Sequence, residues 1–513
     1  MRADWERFLP VPILEDAPAY RVLYDRAWAL ARDHVREIAG MPQSPYMDEA
    51  FCDTQIWIWD TCFMSLFCKY AGEVFPGVES LRNFYEVLYG EARLPTVIPS
   101  MGEPEWTGAV AGEPHEVRIH IADNPPLFAW AEYENALFHG DTAYIRELLY
   151  QKRFLQRHYE WIESLRERTT PRGVQCETRL VRDVRGYLWE GGRSGMDNTP
   201  RGRRGPRTDR TRPNTPELLW IDALCQQALS ARMIASLFDI VGDTAMRDAW
   251  EEKYREKEAL VNRCYWDAED CFYYDIDKTT GAPCRVMTVA SYWALTAGVA
   301  TKERAAAMAE RLSDERTLGG VLPLISLARN DGNYEPDGRY WRGGLWLPTA
   351  YAALKGLSAY GYDRLAHNAS RAILDHMVRT YREYEPHTIW ECYAPEAATP
   401  SVTADGRERV RPDFCGWSAL GPIAIYIEFV LGFRRVDAFR RVVEWAKPEG
   451  FAGEIGICNL RFGDVVTDIV AKGGICTVRA NAPYTLRIDG RDLPIRAGEQ
   501  TLDLNEIPND VSL

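Results

Sequence analysis

Trp341-Arg-Gly-Gly-Leu-Trp-Leu-Pro348, running on through Thr349-Ala-Tyr-Ala-Ala-Leu-Lys-Gly-Leu357, sets the pattern of the whole chain. An aromatic, glycine-rich loop leads to a proline, and the proline opens a helical run over 345–360; its fixed φ and missing N–H suit a first helical turn. The same grammar appears twice more. Asn124-Pro-Pro precedes a run ending at His139-Gly140, and Gly416-Trp-Ser-Ala-Leu-Gly-Pro422 precedes a run to 431. Outward from these, helical periodicity predicts helices over 16–39, 61–72, 142–168, 244–264, 286–300, 302–312 and 363–382. The clearest helix places Ile221, Leu224, Ala228, Ala231, Ile234, Phe238 and Val241 at helical spacing and stops at Gly242. Residues 92–118 read as loop. No strand-like alternation is visible before residue 450, and no short repeat. The expectation is a mainly α fold in which one end of a helical toroid gathers its loops around a pocket. After Gly450 the character changes: 455–460, 465–470, 475–478, 484–488 and 493–495 are short β-prone pieces between glycine and asparagine turns. The expected organisation is a helical domain over 1–449 and a C-terminal β-unit over 450–513 that covers one side of it.

Composition narrows the function. A net charge of −14 disfavours nucleic acid, whose binders present a basic face. No run approaches the ~18 apolar residues of a membrane span, and the first ten residues lack a signal-peptide core. The twelve cysteines form no Cys-x-x-Cys pair. Cys62, Cys68 and Cys225 fall inside apolar helical runs, which predicts reduced, buried thiols and a cytoplasmic protein, not a disulfide framework or a zinc site. Seventeen tryptophans are many, and several sit in turn-like segments beside polar residues, where they suit flat polar ligands such as sugars.

Two acids stand out. Asp197, in Arg193-Ser-Gly-Met-Asp-Asn-Thr-Pro-Arg201, lies in a short turn between Gly195 and Gly202. Alone, that turn reads as an Asx-turn folding back on its own backbone. Glu391 lies between Trp390 and Tyr393 in a segment bounded by Pro386 and Pro395, a setting that desolvates the carboxyl and raises its pKa. Asp60, beside Trp59, reads as the N-cap of its helix. The Trp341–Trp346 loop offers two aromatic faces, the Arg342 guanidinium, and glycines that let backbone approach a ligand. Aromatic platforms, a bidentate polar group and two separated acids together suit glycoside hydrolysis.

Five motifs in order, Trp-x-Trp-Asp-Thr-x-Phe at 57–63, Ser-Gly-Met-Asp-Asn-Thr-Pro-Arg at 194–201, Tyr-Trp-Arg-Gly-x-x-Trp-x-Pro at 340–348, Trp-Glu-x-Tyr at 390–393 and Gly-Trp-Ser-Ala-Leu-Gly at 416–421, resemble one known set. It is that of the trehalase-like (α/α)6-barrel glycosidases, nearest to glycoside hydrolase family 63 and its mannosylglycerate/glucosylglycerate hydrolase relatives. The β-tail is outside the resemblance. The resemblance implies an inverting exo-α-glycosidase without metal or cofactor, acting on a terminal glucose or related hexose. By carry-over Asp197 is the general acid and Glu391 the general base. Asp60 and Trp59 hold the terminal sugar, Trp341, Arg342, Gly343, Trp346 and Tyr393 shape its subsite, and Arg201 and Trp417 are wall residues. Inversion requires carboxyls roughly 6.5–9.5 Å apart to admit a water, and the acid must stay protonated near neutral pH, which burial beside a second carboxylate favours.

One departure follows Arg201: six arginines lie between 201 and 212. They read either as a solvated loop or as an anchor in which Arg203, Arg204 or Arg207 meets an anionic aglycone such as glycerate. The expected partner is a small carbohydrate, and a homo-oligomer is left open. Two other readings stand: a sugar-binding protein on the same fold without chemistry, and another (α/α)6 enzyme such as a uronyl hydrolase or sugar epimerase. An epimerase would rely on histidines, and of the eight only His387 is near a motif loop.

Overall fold

The computed structural model describes residues 4–37, 43–49, 55–89, 105–109, 116–120, 125–170, 173–176, 180–189, 191–202 and 217–505. Its core is a set of helices whose apolar residues run round all faces. Every residue of Ile58–Cys68 and of Gly421–Val430 is buried, and Ile221–Ile240 and Leu347–Ala359 are buried along nearly their whole length. A helix apolar on all sides must be surrounded. Packing shows by what: Ile58–Cys68 lies on Phe128–His139, which lies on Ile221–Ile240, then Trp293–Thr296, then Leu347–Ala359, then Gly421–Val430, which returns to Ile58–Cys68. Amphipathic helices sit outside these six. Gly77–Tyr89 packs on the first, Phe154–Ser164 and Thr244–Cys264 on the third, Asp363–Glu383 on the last two, and Ala19–Asp33 on the last.

The two ends of these buried helices differ. Asp60 is near the start of Ile58–Cys68 and Lys69 follows its end. At Lys69's end four charges from four elements form a quartet in which Lys69 and Glu428 are buried and Glu134 and Lys355 partly so. The Lys69 ammonium lies 2.9 Å from Glu134 and 3.0 Å from Glu428, and the Lys355 ammonium lies 3.1 Å from Glu134 and 3.2 Å from Glu428. Tyr70 and Tyr351 each donate a hydroxyl to Glu428 at 2.9 Å. Charges this deep persist only when fully paired, and here the pairing ties together four of the six buried helices. The aromatic loops are at the other end.

Several expectations need correction. The predicted helix over 142–168 is broken at Arg153, which takes a left-handed φ of 54°, leaving Thr142–Arg146 and Phe154–Ser164 on either side. The first helix stops at Asp33, and the run over 286–300 is reduced to Val289–Thr296. Strands do occur before residue 450. Val181–Asp183, Gly186–Leu188, Leu218–Leu219, Asp275–Asp277 and Pro283–Cys284 form one antiparallel sheet. Glu116–His120 runs parallel to Gln55–Trp57 and antiparallel to Glu105–Ala109, within the stretch expected to be loop. Strands of two to five residues are too short to show an alternation. The other expected helices and the five C-terminal strands form, with Gly498–Asp503 as a further strand.

The C-terminal region is β-rich. One five-stranded antiparallel sheet runs Val11–Leu14, Ile455–Phe462, Val465–Lys472, Ile475–Ala480, Gly498–Asp503. A second joins Arg435–Asp437 and Val442–Trp445 to Tyr484–Ile488 and Arg491–Ile495. The β-rich region therefore draws strands from both sides of Gly450 and from the chain's first residues. Cys62, Cys68 and Cys225 are buried free thiols as expected, and Cys264, Cys271, Cys284, Cys392, Cys415, Cys458 and Cys476 are free as well. No helix among them is long and apolar enough to cross a membrane.

Two neighbouring buried helices approach closely at Gly356. A Cβ there would meet the backbone nitrogen of Thr296 at 2.7 Å and the Leu295 Cβ at 2.8 Å. Backbone cannot yield as a flexible side chain can, so Gly356→Ala is expected to lower the denaturation midpoint by an amount equivalent to roughly 1–3 kcal/mol of overpacking. Thermal or urea unfolding checks this, with exposed Gly361→Ala as the comparison for a strained but uncrowded turn.

Candidate active site

At the loop end a cavity of about 130 Å³ is lined by Trp57, Trp59, Asp60, Gly192, Arg193, Gly195, Asp197, Tyr340, Trp341, Trp346 and Trp417. A cavity needs roughly 10–15 Å³ of such space to hold one water, so this one admits a small ligand. Four of the five motifs quoted above thus line one small cavity, and the fifth, through Glu391, bonds to its wall.

The Asp197 turn lies flat on Trp59. Gly195 has a φ of +83°, and a Cβ there would meet the Trp59 ring at 2.9 Å. The turn closes with the Thr199 N–H on the Met196 carbonyl. The expected Asx-turn gives way to a longer reach by Asn198. Its Nδ2 donates to the Arg339 carbonyl at 2.9 Å and its Oδ1 accepts the Trp341 N–H at 2.8 Å. Asp197 itself is exposed at the cavity rim, against the expectation of a buried acid.

Glu391 is 3% exposed and held on all sides. Its Oε1 accepts the Tyr340 hydroxyl at 2.7 Å and its Oε2 the Arg411 N–H at 3.3 Å. Its backbone N–H donates to the Arg411 carbonyl, while its carbonyl accepts the Trp417 indole N–H and the Ser418 hydroxyl, each at 3.0 Å. Burial raises its pKa, as expected; the Tyr340 hydroxyl and Arg411 oppose that rise by stabilising the carboxylate. The adjoining Tyr393 is paired through its backbone with Leu345, which locks the 391–393 segment to the 341–346 loop.

Asp60 is in the first turn of its helix, whose N-cap is Trp57; it is not the cap itself. Desolvation drives its pKa well up, and the nearby carboxylates of Asp197 and Glu391 add to the rise. Three carboxyls therefore share the cavity's field.

The remaining expected residues divide. Trp341 and Trp346 both line the cavity, but they stack on each other, with centroids 4.0 Å apart and planes 6° apart, so they form one slab. Trp417 tilts against Trp346 at 5.6 Å. Arg342, Gly343 and Tyr393 are outside the lining: Gly343 donates to Ser326, and Tyr393 accepts the Trp390 N–H. Arg201 lies beneath the turn and away from the cavity wall. It donates Nη1 and Nη2 to Asp222 and Nε and Nη2 to Asp275, all at 2.8–2.9 Å, over the Trp220 ring. His387 is exposed and bonds to the Tyr381 carbonyl. Arg203, Arg204 and Arg207 fall outside the described residues. Arg193, Tyr340 and Asn198 were inside the quoted motifs, but only the structure shows what they face.

A family model for the mannosylglycerate hydrolase MGH1-like glycoside hydrolase domain matches residues 54–407. The chain belongs to that family. The match holds Trp59, Asp60, Asp197, the 340–346 loop and Glu391; Trp417 and the C-terminal strands follow it. Among relatives of this MGH1-like chain, a mannosylglycerate hydrolase from Rubrobacter radiotolerans is 30% identical over 161 residues, 31% of this chain and 35% of the relative. A probable trehalase from Eremothecium gossypii is 24% identical over 208 residues, 40% of this chain and 28% of the relative. The chain thus spans about a third of the length of these curated relatives. The solved mannosylglycerate hydrolase of Thermus thermophilus shares the fold, with a TM-score of 0.55 at 20% identity, covering 78% of this chain and 99% of that one. It has been solved with Tris, with glucose, and with Tris and D-glycerate.

Arg201 gives the site its stability test. Removing the guanidinium leaves Asp222 and Asp275 buried and unpaired, so Arg201→Ala is expected to cost about 3–5 kcal/mol and to lower Tm sharply. A variant that lost sugar affinity at an unchanged Tm would return Arg201 to the wall.

Proposed function

We propose that this chain is an inverting exo-α-glycosidase built on an (α/α)6 toroid, removing a terminal α-linked glucose or related hexose from a small glycoside. The observation that carries the proposal is the pairing of a rim acid with a buried, hydrogen-bonded carboxylate around a small cavity walled by indoles. The closed succession of six buried helices with amphipathic helices outside supports the toroid. The cavity's small volume supports exo action, since a second ring must lie beyond the rim.

Each residue then has a task. Asp197, at the rim, donates a proton to the departing glycosidic oxygen. An aglycone seated over it removes it from water, and desolvation favours the neutral carboxyl that donation needs. Glu391 accepts a proton from the water attacking the opposite ring face. Tyr340 and Arg411 keep it available as a carboxylate despite its burial. Asp60 accepts hydrogen bonds from hydroxyls of the terminal sugar, while Trp59 and the Trp341–Trp346 slab pack its apolar faces. The bond to the aglycone oxygen breaks as the bond to water forms, which inverts the anomeric centre.

The aglycone side is where Arg193 counts. It lines the cavity from the short Gly191–Ser194 helix that leads into the Asp197 turn, placed to meet a carboxylate on the leaving group. The D-glycerate bound in the solved relative gives such an aglycone its chemistry. The Arg203, Arg204 and Arg207 reading stands beside it as a second contact.

Two variants separate acid from base. On an α-glycosyl fluoride, whose leaving group needs no proton, Asp197→Asn is expected to keep much of the wild-type rate while losing about 10²–10⁴-fold on an α-glycosylglycerate. Glu391→Gln is expected to lose activity on both. Equal losses for the two variants on both substrates would remove the acid and base assignments, and full activity in both would point to other residues.

A further inference from the structure

Tyr340 is held in a way its place in a loop does not require. It and its neighbour Arg339 are consecutive non-glycine residues with positive φ, 65° and 27°. Such backbone is strained and persists only when its surroundings over-determine it. Here they do so. Asn198 clamps both flanks, accepting the Trp341 N–H and donating to the Arg339 carbonyl. The Trp346 indole N–H donates to the Tyr340 carbonyl at 3.0 Å, and the Trp346 ring meets the Tyr340 ring edge-on at 4.7 Å. The phenol so positioned ends at Oε1 of Glu391.

We infer that Asn198 and Tyr340 form a strut that fixes the base, Glu391, relative to the turn carrying the acid, Asp197. The inference rests on the acid and base roles proposed above and adds a device that sets their relation. Asn198 follows Asp197 directly in the chain, so the acid's turn and the base's hydrogen-bond partner share one clamp. The two carboxyls come from segments nearly two hundred residues apart, and the strut is the connection through which a shift in one turn moves the other. Asn suits the role because one side chain supplies both the donor and the acceptor. Asp could accept from Trp341 but would face the Arg339 carbonyl with no proton to give. Tyr340 and Asn198 are positioning residues, since both act through Glu391.

The strut is tested on the acidic limb of the pH profile for hydrolysis of an α-glycosyl fluoride, a substrate that bypasses Asp197. The Tyr340 hydroxyl stabilises the Glu391 carboxylate. Its removal in Tyr340→Phe leaves burial unopposed on that side, so the acidic limb moves to higher pH and kcat/KM falls about 10- to 100-fold, the scale of one hydrogen bond to a charged group. Asn198→Ala is expected to move the limb in the same direction, and the double variant to move it no further than Tyr340→Phe alone. Asn198→Asp, which keeps the acceptor, serves if Asn198→Ala does not fold, and far-UV circular dichroism reports the fold of each. If Asn198→Ala lowers the rate with the limb unmoved, or the double variant's shift is the sum of the two, the strut is overturned. Glu391→Gln in the same assay separates the levels. Inactive, it leaves the catalytic reading standing whatever the strut does; active, it removes the base assignment and the strut with it.

Discussion

The site depends on a buried guanidinium. Arg201, 2% exposed, fills the space between Asp222, at the start of the Ile221–Ile240 helix, and Asp275, on a strand of the sheet beneath the acid's turn. Asp275 also accepts the Ile221 N–H at 2.9 Å and Asp222 the Ala223 N–H at 3.0 Å. One cation therefore joins the end of the Asp197 turn to a helix N-terminus and a strand, with both carboxylates already bonded to backbone. Two buried anions without it would be unsupportable. With it, an exposed acid at a cavity rim is carried by a turn whose far end is fixed.

The helices divide the labour between their ends. At one end, charges are neutralised within the protein: Lys69, Lys355, Glu134 and Glu428 pair with one another, and Tyr70 and Tyr351 complete Glu428. At the other end, polar groups are only partly spent. Asp60 and Asp197 line the cavity, and Glu391 bonds to its wall through Tyr340. Burial, with the nearby carboxyls of Asp197 and Glu391 adding to it, favours the protonated form of Asp60. A rigid, self-paired base with a frustrated opposite end is how a fold holds a site without collapsing onto it.

The helices were legible because their signals are local. Ile221–Ile240 and Asp363–Glu383 carry their periodicity in consecutive residues, and Gly242 and Pro348 mark boundaries with backbone chemistry. Short strands were not legible: Leu218–Leu219 is a strand only because distant backbone, at Leu188, Ile276 and Asp277, pairs with it. The same division runs through the site. Asp197, Glu391, Trp59 and Trp417 sat in motifs whose residue types suit sugar chemistry. Arg201 sat in one of the same motifs, but its partners are 21 and 74 residues away, so nothing local distinguishes a wall residue from a buried hub. Asn198 looked like a turn residue for the same reason. The exposure of Asp197 was equally hidden, because accessibility is a property of the packed loops and not of the turn's spelling.

On the mechanism proposed above, two carboxyls act on opposite faces of one sugar ring, with a water between Glu391 and the anomeric carbon, and this would commit the reaction to one stereochemical outcome. Proton NMR of the first sugar released from an α-glycosylglycerate, read before mutarotation, tests that commitment most directly. The β-anomer is the expected first product. An α-anomer would mean retention, which requires a covalent intermediate on a carboxylate and contradicts the water-activating role of Glu391.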